Sequence, residues 1–288
     1  MRVLRLAPPL DSGSGLAQYA CAYDALLEAE GVEVVRVDQQ AIGGPAPLNS
    51  LADVRAYVSR AREAARGCDL VHVELGGGAL REFYSIIGLR RSGLPIVVTV
   101  HDPPRAVWYP FLFDIFRRKR RMGLAMRLLT QPLALGLDRL ALRHVTLIGT
   151  TTNAGVASLQ RSFPRLRDRI VRFEYPCRPP VDKRAVPPRR AGEGLDLAFH
   201  GHWMPGKGIE TLLAAVASLR SEGHAVTLAL YGGTSAAAGE QWTTSYRRDI
   251  LRLIAELGLA DVVALKGYVA DEKLLEALSH HDAIVLPY

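Results

Sequence analysis

The run from Leu195 to Leu213, LDLAFHGHWMPGKGIETLL, admits few folds. Leu195, Leu197 and Phe199 alternate with polar or small residues, which predicts a short buried strand. Gly201, Gly206 and Gly208 then surround one cation, Lys207. Ile209, Leu212, Leu213 and Val216 follow at helical spacing. A strand, a glycine-rich turn with a lysine, and a helix together form a holder for an anion. Glycines let the backbone come close, N–H groups of the first helical turn point at the negative group, and the lysine adds a full charge.

The same rhythm runs through the whole chain. Val3 to Ala7 reads as a strand that Pro8 and Pro9 end, although Arg2 and Arg5 cloud its pattern. Leu16, Tyr19, Ala20, Tyr23, Leu26 and Leu27 make a helical stripe that Gly31 closes. Gly13, Ser14 and Gly15 therefore sit between a strand and a helix, either as a plain turn or as a loop that lets a ligand reach the backbone. Further strands are expected at 32–37, 70–73, 95–100, 144–149 and 170–173, with helices at 51–66 and 80–91. The strand at 95–100 is apolar throughout, as in a sheet covered on both faces, and runs into His101 and Asp102. A histidine there either caps the loop or faces a ligand at the carboxyl edge of the sheet. Thr151, Thr152 or Asn153 is placed to cap the next helix. The proline-rich run at 176–194 reads as a linker, with one domain over 1–175 and another over 195–288. In the second, strands at 195–200, 225–231, 262–266 and 283–286 alternate with helices at 207–222, 243–257 and 271–280, the last capped by Asp271. The turns at 201–208, 231–234 and 267–269 would then share one sheet edge and form one site. The fold class is α/β, with two Rossmann-like parallel sheets.

Charge is uneven. Residues 1–175 hold 24 Lys and Arg against 16 Asp and Glu, whereas residues 176–288 hold 12 against 13. Five consecutive cations, Arg117 to Arg121, lie among Phe111, Phe113, Phe116, Met122 and Leu124. That pattern fits a helix packed on the sheet with a basic edge, a helix lying on an anionic membrane, or a weaker nucleic-acid grip without any accompanying motif. No apolar run is long enough to suggest a membrane span, and the start is a poor signal peptide, so a cytoplasmic protein is expected. Cys21, Cys68 and Cys177 show no metal or disulfide spacing and read as reduced, mostly buried thiols. Taken as a P-loop, the turn at 201–208 fails at Gly208, where the magnesium-binding Ser or Thr would stand.

The turn GHWMPGKGIETLLAA, the stretch GYVADEKLLEALSHHDAIVLPY and the segment GSGLAQYACAYDALLEAEGVEV together resemble glycosyltransferase family 4, also called group 1. His101 and Asp102 fall where that family has a histidine facing the sugar. The resemblance covers almost the whole chain, in order. It implies a GT-B fold, with two Rossmann-like domains across a cleft, and retaining transfer from a nucleotide-diphosphate sugar to a glycan or lipid-linked acceptor without metal or cofactor. It implies His101 as the catalytic residue, with Gly201, His202, Lys207, Gly208, Gly233, Tyr268 and Val269 at the donor. Gly13, Ser14 and Gly15 would approach the diphosphate and acceptor. Two departures stand out. His202 replaces the arginine usual five residues before the lysine, and the family's pair of glutamates does not occur before Tyr288. The expectation from the second is a truncated or partial chain, or a decayed enzyme. A non-catalytic GT-B remnant that binds a membrane or partner protein, and a nucleotide-sugar epimerase, are the alternative readings.

Overall fold

The computed structural model describes residues 1–8, 15–37, 51–76, 80–102, 135–174, 194–233 and 240–287. The chain divides into two compact units, Met1–Cys177 and Arg178–Tyr288.

The first unit runs β1 (Arg2–Leu6), α1 (Gly15–Ala29), β2 (Glu33–Arg36), α2 (Leu51–Ala64), β3 (Leu70–Leu75), α3 (Leu80–Leu89), β4 (Ile96–Val100), β5 (Leu147–Thr150), α4 (Asn153–Ser162) and β6 (Ile170–Arg172). A further helical stretch covers 135–142. The six strands form one sheet in the order β2-β1-β3-β4-β5-β6, and every neighbouring pair is parallel. Parallel strands need crossovers, so all their carboxyl ends emerge along one rim. Val71, Val73, Leu75, Val98 and Val100 are buried, because helices cover both faces of the central strands. Tyr57 and Ala61 of α2 meet Phe83, Ile86 and Leu89 of α3 in the same core.

The second unit runs β7 (Leu195–His200), α5 (Ile209–Ser221), β8 (Val226–Tyr231), α6 (Glu240–Glu256), β9 (Val263–Gly267), α7 (Asp271–Ser279) and β10 (Ala283–Ile284). Its sheet has the order β10-β7-β8-β9, again all parallel. Phe199, Leu213, Val216, Leu228, Leu230 and Ile250 form its main core.

Several local expectations shift, each for a physical reason. The strand expected from residue 144 begins at Leu147, because His144 and Val145 still bond back to Ala141 and Leu142 and close the preceding turn. The helix after the lysine begins at Ile209, because Gly208 is its N-cap with φ of +68°. Asp271 is the first helical residue and not the cap; Ala270 caps α7 without a side-chain bond. Thr152 does cap α4, its hydroxyl accepting from Gly155 N–H at 2.9 Å. Along α1 the stripe is displaced: Leu26 is exposed, while Asp24 is buried. Cys21 is exposed, so of the two described thiols only Cys68 lies inside.

Candidate active site

Each unit has a place where strand order reverses, and open α/β sheets bind ligands outside the carboxyl ends of the strands there. In the second unit that place lies between β7 and β10. The chain leaves β7 at His200 into Gly201. From here three strand ends are laced together through the backbone. Gly201 N–H donates to Tyr231 O at 3.4 Å, Trp203 N–H to Gly233 O at 2.9 Å, and Gly232 N–H to Gly267 O at 2.7 Å. Gly232, at φ of +99°, leaves no room for a side chain, since a Cβ there would stand 2.1 Å from Gly201 O. Trp203 anchors the loop by burying its ring in the core.

Lys207 is half-buried at the tip of this loop, its N–H bonded to Met204 O at 3.2 Å. Gly208 follows in the left-handed region and opens α5 with no side-chain cap. The first N–H groups of α5 therefore carry no side-chain acceptor, and the positive end of the helix dipole adds to the lysine. Across the switch point, the chain leaving β10 packs Pro287 against Gly208. The structure thus brings Gly201, His202, Lys207, Gly208 and Gly233 to one rim. Tyr268, just beyond β9, is 74% exposed. Val269 is half-buried and packs its side chain against the Ala198, Ala229 and Tyr231 cluster. A neighbouring polar chain went unread in the sequence: Asp196 binds His281 Nδ1 at 2.8 Å, and His281 Nε2 meets the Tyr231 hydroxyl at 2.9 Å.

In the first unit the switch point lies between β1 and β3. Gly15 begins α1 there, and a Cβ on Gly76, just past β3, would stand 2.7 Å from Leu16 Cδ2 and 3.6 Å from both His101 Cβ and Asp102 Oδ2. The start of α1, Gly76 and the His-Asp pair after β4 therefore converge. Gly13 and Ser14 lie outside the described residues, as do Arg117 to Arg121.

His101 donates its backbone N–H to Leu75 O at 2.8 Å, and its Nε2 is 2.8 Å from Glu74 Oε2. The Tyr19 ring meets the imidazole edge-on at 4.6 Å between centroids. Glu74 is fully buried, with Oε1 2.7 Å from Arg5 Nη2. Arg5, also buried, reaches Asp24 at 2.5 Å and lies 4.9 Å over the Tyr23 ring. Asp24 in turn holds Arg36 at 2.5 Å. Burial alone would raise the Glu74 carboxyl, but the hydrogen bond from His101 and the charge of Arg5 bring it down to about 2. His72, on the same strand, bonds Thr99 Oγ1 at 2.7 Å. Burial, reinforced by Arg5, lowers its imidazole to about 3, so it is neutral. Among the described residues, no group of three His, Cys, Asp or Glu could hold a metal ion, and no helix is long and apolar enough to cross a membrane.

Residues 2–176 match the family model described as the glycosyl transferase 4-like domain. An alpha-D-kanosaminyltransferase from Streptomyces kanamyceticus is 24% identical over 225 residues, covering 75% of this chain. The chain spans about half the length of that curated relative, 53%. Among solved structures, HepE of Anabaena in complex with UDP and glucose is similar over 99% of this chain and 73% of its own, at 19% identity and a TM-score of 0.59. Sucrose-phosphate synthase from Thermosynechococcus elongatus is similar over 100% of this chain and 77% of its own, at 18% identity and a TM-score of 0.65.

Proposed function

The chain belongs to the glycosyl transferase 4-like domain family, and on that premise we propose that it takes part in sugar transfer from a nucleotide-diphosphate donor, with retention, to a glycan or lipid-linked acceptor. The fold agrees: two parallel-sheet α/β units of the GT-B kind. The observation that carries the reading is the glycine–lysine turn. Lys207, the uncapped start of α5 and the closely laced strand ends form a cationic rim with backbone approach on the β7–β10 switch point.

As the bond between the anomeric carbon and the diphosphate oxygen breaks, negative charge gathers on the departing nucleoside diphosphate. Lys207 and the N–H groups at Gly208 and Ile209 stabilise that charge where it develops, without reorganising. In this reading the second unit holds the donor through Gly201, His202, Gly233 and Tyr268, and the first holds the acceptor. His101, braced by Glu74, faces a sugar hydroxyl, and the Gly13–Gly15 loop approaches the diphosphate. The basic run Arg117 to Arg121, flanked by aromatics, supports peripheral contact with an anionic membrane from the cytoplasmic side, which suits a lipid-linked acceptor.

The test is incubation with a panel of UDP- and GDP-sugars, with and without glycan or lipid-linked acceptors, followed by release of nucleoside diphosphate. Release with one donor, and the retained anomer in the product, is the expected result. No release and no donor binding with any of the panel would contradict the reading.

A further inference from the structure

We propose that Glu74 is a positioning residue that fixes the His101 ring with its proton on Nε2, so that Nδ1 meets the substrate as a hydrogen-bond acceptor. The inference rests on the proposed role of His101 at a sugar hydroxyl and deepens it. Three observations carry it. Glu74 is fully buried, and one of its oxygens lies 2.8 Å from His101 Nε2. Its other oxygen is held by Arg5 at 2.7 Å, and Arg5 is itself held by Asp24 at 2.5 Å. With a guanidinium against it the carboxylate stays ionised, and an ionised carboxylate only accepts. The proton between Glu74 and His101 therefore belongs to Nε2, and the neutral form of an imidazole with that proton carries its lone pair on Nδ1. Finally, the imidazole side chain is 16% exposed, so the braced ring still reaches the rim.

The surroundings support this orientation: Tyr19 of α1 packs against the ring edge-on, and the His101 N–H is tied to Leu75 O. Among the described residues, the titratable and charged groups near it are Glu74 and His72 from β3, Arg5 from β1, Asp24 and Tyr19 from α1, and its neighbour Asp102. A sugar hydroxyl can donate or accept. An accepting Nδ1 makes it donate, which turns the hydroxyl oxygen's lone pairs away from the ring. Arg5 and Asp24 act on the imidazole of His101 through Glu74.

The test reads the tautomer directly. Long-range proton–nitrogen spectra of the 15N-labelled wild-type chain, with His101 assigned by its loss in His101→Asn, should show a single tautomer protonated on Nε2. Protonation on Nδ1, or an even mixture, would overturn the proposal without any variant having to fold. In Glu74→Gln the amide can present either its oxygen or its NH2 to the ring, so a mixed tautomer is expected. The same variant should lose roughly ten- to a hundredfold in kcat with KM for the donor little changed. An unchanged tautomer together with unchanged kcat would again overturn it. If the wild-type spectrum shows the Nε2 proton but no sugar nucleotide is turned over, the positioning stands and the transferase reading fails.

Discussion

Gly208 and Pro287 touch so closely that a single methyl group cannot fit between them: a Cβ on Gly208 would stand 2.4 Å from the Pro287 carbonyl oxygen. Gly208 also holds φ of +68°. One residue thus opens α5 and lets the chain leaving β10 close on the far side of the switch point. Gly208→Ala meets both a left-handed backbone and a backbone clash, and should cost more than about 2 kcal/mol. Gly206, at φ of +89° with nothing within 4 Å, is the control. Gly206→Ala should cost only about 1 kcal/mol, from the backbone alone. Urea denaturation of both variants checks the difference, and equal losses would show that the Pro287 contact is unimportant.

The buried network beside His101 predicts how stability falls in acid. His72 stays neutral in the fold down to about 3 instead of the usual 6.5. Between those values the unfolded chain binds a proton that the folded chain refuses, so stability falls as pH drops through that window. Glu74 is depressed to about 2 from 4.5, so its contribution is full above pH 4.5 and is lost toward pH 2. At 1.36 kcal/mol per pH unit, the Glu74 contribution is about 3 kcal/mol. Glu82 of α3 works in the opposite direction over part of this window, so the test is made in a Glu82→Gln background, where the urea midpoint should begin to fall below pH 6.5. With His72→Gln added to that background it should stay flat down to about pH 5.

Glu82 has the opposite sign. Fully buried on α3, its carboxyl is raised by burial to about 7 from 4.5. A raised carboxyl favours the fold most at low pH, and that advantage is lost as pH rises from 4.5 to 7. Above pH 7 the fold carries a buried anion at a cost of about 3 kcal/mol. Glu82→Gln, which keeps the shape of the neutral acid, should raise stability at pH 8 by up to about that amount and leave it unchanged at pH 4. A gain that does not depend on pH would contradict the account.

Much of this was legible in the sequence. β4 announces itself because four β-branched apolar residues and a threonine in a row suit a strand covered on both faces. The turns at Gly201, Gly208 and Gly233 announce themselves because glycine spacing is local. Arg5, Asp24, His72 and Glu74 were not legible as a group. Arg5 reads as noise in a strand until its partners arrive from α1 and β3, at residues 24 and 74. Burial of a charge is decided by such distant partners, and no local period encodes them. Asp24 hid for the same reason, inside a helix whose apolar stripe points elsewhere. Val269, placed at the donor by the family resemblance, also packs its side chain against the Ala198, Ala229 and Tyr231 cluster, a contact that no local pattern in the sequence announces.

The run from Arg117 to Arg121 yields a prediction of its own. Wild-type protein should float with vesicles containing anionic phospholipid at low salt and much less at high salt, because screening weakens the attraction. Neutralising the five cations to Gln should abolish flotation, and undiminished flotation would reject membrane contact through this stretch.

The account as a whole turns on Lys207. Calorimetric titration of UDP and GDP into the wild-type chain and into Lys207→Ala tests it most directly. One nucleoside diphosphate should bind the wild-type chain and bind the variant at least about tenfold more weakly, as loss of a charge-assisted contact requires. Equal affinity for the two proteins would contradict the assignment of the glycine–lysine turn to a diphosphate.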